Sequence, residues 1–171
     1  MAKRILAVAA LIVAGAAAGL ALHLASSGGD TVFSGQRPDY LGVKDGSLAR
    51  CKRTPNCVSS QADPGDAEHY IAPIAFKGGA DRAMAAVRKA VEGMARATVI
   101  RSEANYLYAE FRSKLMGFVD DVEFLFDEAA GVIHVRSASR LGRRDFGVNR
   151  ERIEALRAAI AGRADPRPGT G

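Results

Sequence analysis

Between Ala97 and Ala138 the chain is a series of short runs that alternate apolar and polar residues, and this pattern limits the fold most. Ala97 to Ser102 carries Val99-Ile100, and Asn105 to Ser113 sets Leu107, Ala109 and Phe111 against Tyr106, Tyr108, Glu110 and Arg112. Phe118 to Asp127 puts Phe118, Val122, Phe124 and Phe126 on one face and Asp121 and Glu123 on the other, with Asp120 falling on the apolar face. From Val132 to Ala138, Ile133 and Val135 alternate with His134 and Arg136. Side chains of a strand point alternately to its two faces, so each run reads as a strand with one face on a core. The gaps Glu103-Ala104 and Glu128-Ala129-Ala130 are short enough for antiparallel hairpins.

Helical periods flank this sheet. After Gly78-Gly79, Asp81 is a plausible N-cap, and Met84, Val87, Val91 and Met94 recur at the spacing of one helix face. Asn149 is placed to cap a second helix with Ile153, Leu156 and Ile160 on one stripe, ended by Gly162 and then Pro166 and Pro168. Tyr70 to Phe76 reads as one more short strand. The order is β-α-β-β-β-β-α, an α+β domain with an antiparallel sheet of about five strands and helices on one face. Residues 39–69, with Gly42, Asp45-Gly46, Pro55-Asn56 and Pro64-Gly65, form a turn-rich region. A loop of that length is expected to be pinned or functional.

The N-terminus predicts an address. Lys3 and Arg4 precede Ile5 to Leu22, which has no charge and no proline. This is the pattern of a secretory signal, and its length approaches the ~20 residues that span a bilayer. Residues 1–25 therefore read as a signal or transmembrane anchor, the anchor being favoured, with membrane contact through residues 5–22. Residues 26–38 read as a tether, 39–162 as the domain and 163–171 as a disordered tail. The expected location is the inner membrane with the domain in the periplasm, or the periplasm itself if the signal is cleaved.

Of 171 residues, 24 are Lys or Arg and 19 Asp or Glu, a net charge of +5. Lys3 and Arg4 belong to the export signal, and most of the remaining excess sits in Arg136, Arg140, Arg143, Arg144, Arg150 and Arg152. Just before that segment lie Asp120, Asp121, Glu123, Asp127 and Glu128. Complementary blocks more often pair with each other than recruit a polyanion, so no nucleic-acid partner is expected.

Three constellations are candidates for chemistry. Cys51 and Cys57 bracket Pro55 and read as a local disulfide in an oxidising compartment. Free thiols, a redox pair or a metal site are the alternatives, although redox pairs favour a closer spacing and a zinc site would need His69 and His134 as well. Asp121 and Glu123 share a strand face and form a carboxylate pair suited to acid–base work, whereas Asp120 points the other way. The competing view is an ion-pair network, with Arg136 or Arg140 as the partner of Asp120. Arg136, Ser137, Ser139, Arg140, Asn149 and Arg150 lead into a helix N-terminus and suit an anion. No Walker or dinucleotide spacing accompanies them, so no cofactor is expected, nor a resident metal. Ser137 and Ser139 lack the Gly-x-Ser-x-Gly elbow of a serine hydrolase.

Leu41-Gly-Val with Gly46, Cys51, Pro55-Asn-Cys-Val-Ser-Ser, Gly117-Phe-Val-Asp-Asp-Val-Glu-Phe, Val135-Arg-Ser-Ala-Ser-Arg and Gly147-Val-Asn-Arg-x-Arg-Ile-Glu together resemble the domain-of-unknown-function 1499 family over roughly residues 39–160. The family's pattern falls on Cys51, Asn56, Cys57, Ser59, Ser60, Asp120, Asp121, Glu123, Arg136, Ser137, Ser139, Arg140, Asn149, Arg150 and Glu154. The resemblance implies a bacterial-envelope or plastid setting and no particular reaction. Two functions are carried forward. One is a non-enzymatic binding module for a small or lipid-like ligand or a partner protein, using the polar face of the sheet. The other is a hydrolase using Asp121 and Glu123 with the Arg136–Arg150 segment holding an anionic substrate.

Overall fold

Strand alternation and helical stripes meet in one sheet covered on one face by two helices. The computed structural model describes residues 33–164. Its elements are β1 (Cys57–Ser59), β2 (Ile74–Ala75), α1 (Ala80–Glu92), β3 (Ala97–Ser102), β4 (Tyr106–Arg112), β5 (Val119–Asp127), β6 (Val132–Ser139) and α2 (Val148–Ala164). The sheet runs β1-β6-β5-β4-β3, antiparallel throughout, and β2 shares the β6 edge with β1. The α+β class and the one-sided helical layer are as the sequence predicts. The order is not: β1 adds a strand inside the region expected to be irregular, where three residues are too few to show a period.

Leu107, Ala109, Phe111, Val122, Phe124, Phe126, Ile133 and Val135 turn one sheet face toward Met84, Val87 and Val91 of α1 and Ile153, Leu156 and Ile160 of α2. Both helix starts differ from expectation. Gly79 is the N-cap of α1, which leaves Asp81 in the first turn where its charge favours the helix N-terminus. For α2 the capping oxygen comes from Asp145, which accepts the Asn149 N–H at 2.9 Å, so Asn149 is free to turn its side chain inward. Asp120 does lie on the helix side, but its partner is Arg152 of α2 at 2.5 Å rather than Arg136 or Arg140. Those two arginines share the opposite face of β6 and its extension, as even-numbered strand positions must.

The second face of the sheet carries Tyr106, Tyr108, Glu110, Asp121, Glu123 and Arg136, all buried. Alternation marks this as the polar face without saying what lies over it; the chain from Phe33 to Leu48 covers it. Phe33 packs on Phe118 with ring centroids 5.4 Å apart, Arg37 bonds to Glu110, and Leu41 and Leu48 pack with Tyr106, Tyr108 and Leu125. Polar residues can be enclosed in this way because they satisfy one another.

The 5–22 run expected to cross the membrane lies outside the described residues, as do the tether up to residue 32 and the tail from 165. Among the described residues no helix is long and apolar enough to cross a membrane. The longest, α2, has 17 residues and carries several charges, short of the ~20 apolar residues required. The expected transmembrane helix, the membrane as partner and the inner-membrane address are corrected accordingly: the described residues contain no spanning helix on which they could rest.

Candidate functional site

Glu123 occupies the centre of the covered face. Its Oε1 accepts the Gly42 backbone N–H at 2.8 Å and the Tyr106 hydroxyl at 2.8 Å, and its Oε2 accepts Arg136 Nη1 at 3.1 Å. A fully buried carboxylate with three donors is satisfied. It anchors the 39–48 segment to the sheet.

One turn of register away, Glu110 on β4 stands directly opposite Asp121 on β5. Two carboxylates so placed repel. Arg140, just past β6, relieves this by bridging them. Its Nη2 donates to Asp121 Oδ1 at 2.7 Å and also to Glu110 Oε1, and its Nε reaches Asp121 Oδ2 at 3.0 Å. Arg37 adds bonds of 2.8 and 2.6 Å to Glu110. The Tyr108 hydroxyl donates its one proton to Asp121 Oδ1 at 2.6 Å, with Glu110 Oε1 at 3.1 Å as the longer, shared acceptor. Burial alone would raise the Glu110 pKa, but the bonds from Arg140 and Arg37 outweigh it and hold the group below the usual glutamate value. Burial first, then the Asp121 carboxylate, pushes the Tyr108 hydroxyl well up; burial and Glu123 do the same to Tyr106. Both tyrosines therefore stay protonated and act as donors.

Arg136 differs from Arg140. It is 2 % exposed, its one hydrogen bond among the described residues is the one to Glu123, and its Nε–H has no partner. Its guanidinium carbon lies 5.6 Å from the Tyr40 ring centroid, and Lys52 Nζ lies 5.8 Å from the same ring. Arg136, Tyr40 and Lys52 line a cavity of about 540 Å³, with Arg37, Asp121 and Arg140 among its other walls. The floor is the end of β6, one wall is the 36–40 segment, and another is the loop closed by the Cys51–Cys57 disulfide, whose Cα atoms are 5.6 Å apart.

The structure thus brings Asp121, Arg136, Ser139 and Arg140 to one cavity and sends the other sequence candidates elsewhere. Ser137 faces Asn149 in the first turn of α2, where the Ser137 hydroxyl donates to Asn149 Oδ1 and Arg152 Nη1 donates to the same oxygen at 2.7 Å. Asn149 Nδ2 ties α2 to Ser139 Oγ at 3.0 Å and to the Asn56 carbonyl at 3.2 Å. Arg150 caps the carbonyls of Ala67 and Glu68 at 3.1 and 3.2 Å. Ser60 closes the β1–β6 junction, accepting the Val135 N–H at 2.9 Å with its hydroxyl 3.1 Å from His134 Nδ1. Arg37, Tyr40, Lys52 and Asn56 were not singled out as ligand residues, though Asn56 belongs to the family pattern and the first three are spread over a stretch without periodicity. No group of three or more His, Cys, Asp or Glu side chains among the described residues is placed to hold a metal ion.

A family model described as protein of unknown function DUF1499 matches residues 47–160. The chain belongs to the DUF1499 family. No curated protein matches it. The DUF1499 match contains the cavity residues Lys52, Asn56, Asp121, Arg136 and Arg140, while Arg37 and Tyr40 precede it. Within this DUF1499 chain the family-pattern blocks divide into two sets: Asp121 and Glu123 with Arg136 and Arg140 build the charged face, and Ser137, Ser139 and Asn149 build the joint between β6 and α2.

Proposed function

We propose that the cavity beside the carboxylate–arginine network takes a small anionic ligand, held by Arg136 and Lys52. The observation that carries this reading is Arg136: its side chain lines the cavity, and its buried Nε–H has no partner among the described residues. Leaving such a donor unsatisfied costs about 1–3 kcal/mol, which an anion that draws the guanidinium toward the cavity would recover. Lys52, exposed and stacked toward the same Tyr40 ring, adds a second positive charge at the mouth. Of the two functional expectations, the one built on carboxylates and arginines agrees better with this geometry. A lipid-like ligand on the sheet's polar face does not, because that face is covered and the cavity walls are charged.

Hydrolysis of the bound anion is the second reading, and it favours Asp121 over Glu123. Asp121 borders the cavity, and among the described residues its Oδ2 accepts only Arg140 Nε, leaving a lone pair for a water molecule. Glu123 sits behind the wall with its donors already chosen.

Calorimetric titration of the protein with inorganic phosphate and with acetate at low ionic strength tests the binding reading. A saturable site that Lys52→Ala weakens by roughly three- to tenfold is expected, the size of one screened charge contact. Absence of binding by either anion would overturn it.

A further inference from the structure

Lys52 borders two cavities. Besides the one above, it lines a second of about 390 Å³, together with Arg50, Arg53, Gln61, Asp66 and His69. Arg50, Lys52 and Arg53 are all exposed, and none forms an ion pair among the described residues. Two acids line the same cavity: Asp66 pairs with His69 at 2.8 Å, and Asp63 Oδ1 accepts the Gly65 N–H at 2.8 Å, so three cations face two carboxylates there. Three cations within four residues repel one another, and the Cys51–Cys57 bridge holds their loop in place. From Arg50 to Arg53 the chain spans at most about 10 Å, so the cations of both cavities lie within reach of a short chain of anionic groups.

We propose that the ligand carries several anionic groups in series and lies across the disulfide loop, one group against Arg136 and Lys52 and the next against Arg50 and Arg53. This rests on the anion-binding reading of the first cavity. The shared chemistry is a run of phosphates or carboxylates a few bonds apart, and preorganised cations at two linked sites bind such a chain by avidity.

The test is calorimetric titration of the full chain, at one fixed ionic strength, with orthophosphate, tripolyphosphate, acetate and tricarballylate. At least one of the three-centre anions should bind on the order of tenfold or more tightly than its one-centre counterpart. Which of them does so distinguishes a phosphate from a carboxylate ligand. In the Arg50→Ala/Arg53→Ala double variant that ratio should fall below about threefold. Orthophosphate binding with no gain for either three-centre anion, or a gain that the double variant retains, would overturn the proposal and leave the single-anion reading standing. No binding by any of the four would overturn both.

Discussion

Glu110 and Asp121 face each other across β4 and β5, and a single guanidinium, that of Arg140, bonds to both. Because all three side chains are buried, the pair is stable only while Arg140 is present. Removing one partner of such a network strands the other charges away from water. Arg140→Ala should therefore lower stability by about 3–5 kcal/mol. Asp121→Asn in the same background should recover part of the loss, since the remaining carboxylate then has no like-charged neighbour. Urea unfolding of the three proteins measures both effects.

The covering segment depends on Gly42. Its φ is +120°, a conformation in which side-chain-bearing residues are strained, and its N–H bonds to Glu123. A Cβ built there would also meet Arg101 Nη2 at 2.6 Å, although that exposed side chain can move away. Gly42→Ala should cost about 1–3 kcal/mol, mainly from the backbone. Hydrogen exchange should show faster opening at residues 40–44 and little change in β5.

The disulfide closes a short loop, so its effect on global stability is modest, about 2 kcal/mol by chain entropy. Its effect on the cavities should be larger in proportion, since Cys57 lines the first and Cys51 the second. Cys51→Ser/Cys57→Ser should shift the urea midpoint by that modest amount and weaken anion binding more than Lys52→Ala does.

Acid should destabilise the protein through Glu110. Its folded pKa lies below its ordinary value of 4.5, so its contribution is present above that value and is lost as pH falls through the lower, folded one. His69 acts in the opposite direction. Burial works against its charged form, but the bonds it donates to Asp66 and to the Thr54 carbonyl, with the charges of Asp66 and Glu68, together outweigh burial and raise its pKa above 6.5. Its contribution is complete below 6.5 and fades as pH rises through the raised value. Stability profiles of Glu110→Gln and His69→Ala should flatten the acid limb and the near-neutral limb respectively.

Much of this architecture could be read from periodicity. Strands β4 and β5 fall where Leu107/Ala109/Phe111 and Val122/Phe124/Phe126 alternate, because an apolar core on one face forces that spacing. The stripes Met84–Val87–Val91 and Ile153–Leu156–Ile160 are buried against the sheet as their spacing predicts. Pairing across elements was less legible. That Asp120 would meet Arg152 depends on the rotation of α2 over the sheet, which one strand's alternation does not encode. That Gly42 would meet Glu123 depends on a segment with no period at all, laid over residues 81 positions away. The cavity was half visible for the same reason: Asp121, Arg136 and Arg140 share a face by strand parity, whereas Tyr40 and Lys52 arrive on loops.

The central claim concerns one hydrogen, the Arg136 Nε–H, and nitrogen-correlated NMR can observe it directly. With the resonance assigned by its loss in Arg136→Lys, titration with orthophosphate should move it progressively and saturably, in parallel with the calorimetric isotherm. If phosphate binds and that resonance stays in place, or if no concentration of phosphate perturbs it, Arg136 does not hold the anion and the account is contradicted.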